Sequence, residues 1–175
     1  MIENYTADFY VKAAYDLDAK ALKKLGIALV LVDLDNTLIA WNQPEGTPEL
    51  RAWLGELRAA DIQICVVSNN HYKRVKTAVA PFGVDFVNDA LKPFTWGIKK
   101  ALKRYSVSTD KVLLVGDQRM TDIRAGKRAG IRTVLVKPLL VSDHWQTQFN
   151  RWRERRVTRK IEATQGKTIY KDKIE

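Results

Sequence analysis

The sequence predicts an α/β fold, a Rossmann-like three-layer sandwich built on a mainly parallel central sheet of about five strands. Three observations carry this reading. Five strand-length runs, 28–32, 62–67, 84–87, 112–115 and 133–136, are rich in Val, Ile and Leu. They lack the polar alternation of a half-exposed strand, so helices must cover the sheet on both faces. The segments between them repeat apolar residues at helical spacing, and polar residues stand just past several run ends, where open α/β sheets hold ligands.

The run 28–32 ends at Asp33 and Asp35. Thr47-Pro48-Glu49 then starts a helix, with Thr47 as N-cap and Pro48 at the first helical position, and Leu50, Trp53, Leu54 and Leu57 form its apolar stripe. The run 62–67 carries the single cysteine, Cys65, and ends at Ser68. A helix is expected over 71–80, a short strand over 84–87 leads to Lys92, and another helix is expected over 94–105. The run 112–115 delivers Asp117, and a helix over 121–129 is stopped by Gly130 before the last run. Residues 1–141 read as one domain with an N-terminal extension, and 142–175 as a basic amphipathic helix and tail.

Composition bounds the function. Hydrophobic residues make up 46% of 175, enough for one core, and charged residues 29%, which argues against wholesale disorder. No apolar run approaches the roughly 18–20 residues that span a bilayer. Met1-Ile2-Glu3-Asn4 shows no basic segment followed by an apolar one, and a lone cysteine forms no internal disulfide, so the expected compartment is the cytoplasm. Net charge is +10, and residues 151–175 hold nine Lys/Arg against four Asp/Glu. Such a balance attracts anionic partners, whether phosphate substrates, nucleic acid or acidic lipid.

The sharpest signal is Val32-Asp33-Leu34-Asp35-Asn36-Thr37-Leu38. Residues i and i+2 of an extended chain face the same way, and two carboxylates so placed repel each other unless a cation holds them. The competing reading, a turn after a strand, accounts for one acid more easily than for two followed by Thr37.

With that segment, Ser68-Asn69-Asn70, Leu91-Lys92-Pro93 and Gly116-Asp117-Gln118-Arg119-Met120-Thr121-Asp122 occur in order, each after an expected strand. This series resembles the four motifs of the haloacid dehalogenase-like (HAD) superfamily, and more narrowly its subfamily IIIA. That branch includes the YqeG proteins and is similar to the mitochondrial phosphatases that act on phosphatidylglycerophosphate. The resemblance implies a Mg²⁺-dependent phosphatase. It implies Asp33 as nucleophile, Asp35 as general acid and base, and Lys92 as the cation that holds the phosphoryl oxygens. Ser68 and Asn69 fall at the phosphate-binding position. Asp33, Asp35 (through its carbonyl), Asp117 and Asp122 fall at the metal, and an all-oxygen set suits Mg²⁺. An acid at position 35 selects a phosphatase over an ATPase, which carries Thr there.

Only 33 residues separate Asp35 from Ser68 and 24 separate Ser68 from Lys92, which leaves no room for a cap domain. An open site suits a bulky or lipid-borne substrate, or one gripped with a neighbouring subunit. Trp41 and Asn42 stand on the loop beside it. Trp145, Phe149 and Trp152 recur on one helical face, with Arg151, Arg153, Arg155, Arg156, Arg159 and Lys160 around or after them, a pattern that either lies on the anionic inner face of a membrane or docks on the core. Tyr5, Phe9, Tyr10 and Val11 are candidates to pair with that helix. Three functions compete: a phosphatase on a membrane-borne phosphomonoester, one acting on nucleic-acid ends or a phosphosugar, and a HAD domain used as a nucleic-acid or ribosome-linked binding module.

Overall fold

The computed structural model describes residues 2–40, 42–140 and 145–174. Six strands form one parallel sheet: β1 (Phe9–Val11), β2 (Leu29–Val32), β3 (Gln63–Val67), β4 (Asp85–Val87), β5 (Val112–Gly116) and β6 (Arg132–Val136), in the order β1-β6-β5-β2-β3-β4. The expected count of about five is corrected to six by β1. It is three residues long and pairs with β6 at the sheet edge, Tyr10 opposite Leu135, too short a segment to show a period.

Alternate side chains of each inner strand serve opposite layers. Val30, Val32, Val66, Leu113 and Val115 meet the side of the sheet covered by α1 (Ala19–Lys24), α2 (Pro48–Ala59) and α3 (Tyr72–Val79). Leu29, Leu31, Cys65, Val67, Val112 and Leu114 meet Ile98 and Ala101 of α4 (Trp96–Tyr105) and Ala125 of α5 (Arg124–Ala129). Continuous Val/Leu runs are therefore required, because neither face sees water.

The helix start is as expected: Thr47 Oγ1 accepts the Leu50 N–H at 3.2 Å and Pro48 opens α2. Leu50, Trp53, Leu54 and Leu57 are all buried, and the Trp53 indole N–H reaches the Leu17 carbonyl at 2.9 Å. The helix expected over 121–129 begins instead as a π-helical turn, Arg119–Ile123, before α5.

The tail runs as α6 (Trp145–Gln165) and returns to the domain. Ile161 and Ile174 are buried, the Lys171 N–H binds the Tyr10 carbonyl at 2.9 Å, and the Tyr10 and Tyr170 rings meet edge to face. Of the expected aromatic stripe, Trp152 is exposed, while the Trp145 and Phe149 side chains and Trp41 lie outside the described residues. No described helix is long and apolar enough to cross a membrane.

Chain order reverses between β2 and its neighbours β3 and β5. The crevice beyond the carboxyl ends of β2 and β5 is the topological switch point, the ligand position of open α/β sheets.

Candidate active site

Four strand ends build the site. Asp33 follows β2, with its N–H on the Val115 carbonyl at 2.9 Å. Asn36 turns the chain at φ 61°, a left-handed conformation that Asn tolerates, and Thr37 is buried behind it. Thr37 Oγ1 donates to Asp117 Oδ1 at 3.1 Å, joining the first motif to the fourth. At the end of β5, a Cβ on Gly116 would stand 2.3 Å from Asp122 Cγ, so glycine is what lets Asp122 fold back against the strand end. The π-helical turn carries Asp122 there, and Asp122 Oδ2 accepts the Gln118 N–H at 3.1 Å.

The result is a group of three carboxylates, Asp33, Asp117 and Asp122, each offering a ligand oxygen, all within 4.8 Å of one another. Lys92 is buried among them, its Nζ 2.7 Å from Asp33 Oδ1 and 2.7 Å from Asp122 Oδ1. Burial works against that ammonium, but the Asp122 and Asp33 charges outweigh it and hold its pKa above the usual lysine range. One cation does not neutralise three acids. Burial, then the Asp122 and Asp33 charges, push the Asp117 carboxyl well above the carboxylate range. Burial likewise pushes Asp122 up to about 6 in spite of Lys92. Excess negative charge on a set of hard oxygen donors, beyond what Lys92 offsets, fits a divalent cation such as Mg²⁺.

Asp35 stands outside this group. Its Oδ1 accepts from Arg74 Nη2 at 2.7 Å and its Oδ2 from Asn70 Nδ2 at 2.5 Å. Burial raises its pKa, the Asp33 charge adds to that, and Arg74 and Asn70 only partly offset it. The two motif acids are thus separated: Asp33 pairs with a buried lysine, Asp35 with an exposed arginine on α3.

Ser68, which is buried, caps the next turn by accepting the Asn70 N–H on Oγ at 3.1 Å. Asn69 spends both ends of its amide on the Lys92 main chain, Nδ2 to the carbonyl at 2.9 Å and Oδ1 from the N–H at 2.8 Å. Its side chain positions the lysine strand end. Asn42 is exposed on the loop after the first motif.

Several residues that shape the site escape a reading by motif. Arg74 and Asn70 hold Asp35, yet an arginine in the first turn of a basic helix has no distinguishing pattern. Glu154 of α6 accepts the N–H groups of Arg119 and Met120 at 2.5 and 3.0 Å, so the tail holds the loop that bears Asp117 and Asp122. The buried Arg119 guanidinium reaches the Tyr5 carbonyl at 3.0 Å and Thr168 Oγ1 at 2.9 Å, tying both termini to that loop.

This architecture and site define a class, and the chain belongs to it: a haloacid dehalogenase-like hydrolase, the family model matching residues 2–130. It is an enzyme, a hydrolase acting on phosphoric monoesters. Within the family the chain is similar to Probable phosphatase YqeG of Bacillus subtilis, 35% identical over 153 residues, 87% of this chain and 89% of the relative. Phosphatidylglycerophosphate phosphatase 1, chloroplastic/mitochondrial, of Arabidopsis thaliana is 30% identical over 138 residues, 74% of this chain and 40% of that protein. A solved haloacid dehalogenase-like hydrolase from Bacteroides fragilis shares the fold, with a TM-score of 0.52, 15% identity, and coverage of 69% of this chain and 93% of its own.

Proposed function

We propose that the enzyme is a Mg²⁺-dependent phosphatase that passes the phosphoryl group through Asp33 to water, on a phosphate ester presented by a large or lipid-borne alcohol such as phosphatidylglycerophosphate. The observation that carries this is the division of labour between the acids: Lys92 binds Asp33 at 2.7 Å while Arg74 and Asn70 hold Asp35. The nucleophile is the carboxylate that lies against the Lys92 ammonium. A general acid needs a proton near neutral pH, which the raised pKa of Asp35 favours.

Asp33, Asp117 and Asp122 would hold the metal, and Mg²⁺ bound there supplies the positive charge that lets a carboxylate approach a phosphate dianion. An Asp33 oxygen forms a bond to phosphorus as the bond to the ester oxygen breaks, and Asp35 gives its proton to that departing oxygen. Asp35, now a carboxylate, takes a proton from water, whose oxygen attacks phosphorus and releases Asp33 and inorganic phosphate. Lys92 stands beside Asp33 to receive charge from the phosphoryl oxygens, and Ser68 offers a hydroxyl.

Three further points support a bulky or lipid-borne substrate. Between Asp35 and Ser68 the described elements are α2 and β3, and between Ser68 and Lys92 they are α3, a 3₁₀ turn and β4, so none stands over the site as a cap. On α6, Arg153, Arg155, Arg156, Arg159 and Lys160 are exposed, which suits peripheral contact with an anionic membrane. The Arabidopsis relative is named for that lipid phosphate.

The test is a substrate panel with and without Mg²⁺: phosphatidylglycerophosphate in mixed micelles, a phosphosugar, a 5′-phosphorylated oligonucleotide and p-nitrophenyl phosphate. The proposal expects metal-dependent turnover, greatest on the lipid. Preference for the oligonucleotide or the sugar would overturn the substrate, and turnover unaffected by chelation would overturn the metal.

A further inference from the structure

We propose that Arg74 is a binding subsite for a second negatively charged group on the leaving alcohol, so that the enzyme selects phosphomonoesters of anionic alcohols. The proposal rests on the assignment of Asp35 as the acid and base.

The first observation is an incomplete ion pair. Arginine and a carboxylate frequently meet through two parallel N–H···O bonds. Here Asn70 occupies Asp35 Oδ2 at 2.5 Å, so Arg74 reaches Oδ1 alone, through Nη2 at 2.7 Å. A guanidinium carries five N–H donors in a planar fork suited to carboxylate and phosphate. Among the described residues Asp35 is the one ion-pair partner of Arg74, and its side chain is 45% exposed.

The second is its place in the fold. Val75, Ala78 and Val79 fasten α3 to the core, while Tyr72, Lys73, Arg74 and Lys76 are exposed. The neighbouring charges are engaged or lie farther round the helix: Lys76 Nζ sits 5.4 Å over the Tyr72 ring, and His71 Nδ1 is 2.8 Å from Asp89 Oδ1. Lys92, by contrast, is buried between Asp33 and Asp122, with no access to a distant part of the substrate.

The third is reach. A proton passes from Asp35 to the ester oxygen only across a hydrogen bond, so Arg74 stands within about 6 Å of that oxygen. A phosphodiester, phosphate or carboxylate two or three carbons along the alcohol falls within the fork of its unspent donors. In the free enzyme Asp35 keeps the guanidinium in place, and one N–H stays on Asp35 when the others turn to the ligand. The second anion is equally that of a lipid headgroup or of a soluble bisphosphate.

The experiment measures kcat/KM for the full chain with Mg²⁺ on three substrates: glycerol phosphate, the deacylated headgroup glycerophosphoglycerol phosphate, and the same headgroup with acyl chains in micelles. Wild type, Arg74→Gln and Arg74→Lys are compared. Wild type should favour the deacylated bis-anion over glycerol phosphate. Arg74→Gln should cut that preference about 10–100-fold, chiefly through KM, the size of a charge-assisted hydrogen bond, and Arg74→Lys should restore part of it. Any loss that acts through Asp35 cancels in the ratio. An equal fall on both soluble substrates, or a preference confined to the acylated one, overturns the subsite alone. Absence of turnover on all three and on p-nitrophenyl phosphate overturns the assignment of Asp33 and Asp35, and the subsite with it.

Discussion

Lys92 Nζ lies 2.7 Å from Asp122 Oδ1, and the two side chains are only 2% and 1% exposed. A buried ion pair of this kind is costly to break from one side, because the remaining charge has no water to turn to. It joins the end of β4 to the loop after β5, and its second contact, to Asp33, adds the end of β2. Three separate strand ends are therefore fixed by one ammonium.

Asp33→Asn is expected to abolish turnover while leaving the fold intact, since it removes one of three crowded carboxylates. Acid-quenched wild-type enzyme should carry phosphate on Asp33 by mass spectrometry. Substantial turnover by the variant, with contaminating phosphatase excluded, would refute a covalent path.

Asp35→Asn should slow turnover by about 10²–10⁴-fold on alkyl phosphates and by much less on nitrophenyl phosphate, whose leaving group needs no proton. An equal loss on both would assign Asp35 to the metal or to the loop.

Asp117→Asn should raise the Mg²⁺ concentration needed for half-maximal rate. It should also raise the melting temperature of the metal-free protein at pH 7.5. The folded-state pKa of Asp117 lies above its unfolded value, so the folded protein holds the proton more tightly, and ionising the group costs stability as pH rises. The gain from the substitution should therefore shrink on acidification, where wild type is itself protonated. Differential scanning calorimetry reads this at roughly 2–4 °C per kcal/mol. A gain that persists at low pH would point to packing rather than charge.

Glu154→Gln should leave the protein folded yet increase the Mg²⁺ requirement, because a charged acceptor for the Arg119 and Met120 N–H groups becomes a neutral one. A chain ending at Leu140 should lose much more: it forfeits Glu154, the buried Ile161 and Ile174, and the Thr168 partner of Arg119. Melting curves of both proteins, with Mg²⁺ titrations of the first, separate positioning from folding. An unchanged Mg²⁺ requirement in the Gln variant would count against coupling between tail and site.

The five strands after β1 and the start of α2 were legible in the sequence because each rests on local chemistry, as does the Asp33/Asp35 pair, whereas Ser68, Lys92 and Asp117 stood out only through their order along the chain and the resemblance it carries. A strand covered on both faces must be apolar throughout, Thr-Pro-Glu starts a helix by its own hydrogen bonding, and two acids at i and i+2 need a cation. What the tertiary structure alone decided lies between segments distant in the chain. The strand Phe9–Val11 forms because β6 offers it an edge and the returning tail bonds it at Lys171. Asp33 and Asp35 look alike in sequence, and they part because Lys92, 59 residues away, takes one and Arg74, 39 residues away, takes the other. The tail bears a basic pattern that reads equally as a membrane surface or a docked helix, and its docking contacts at Glu154 and Tyr170 form with partners more than thirty residues distant. Periodicity and capping report what a segment does with itself, whereas the charge state and role of a side chain follow from which neighbours the fold brings within a few ångströms.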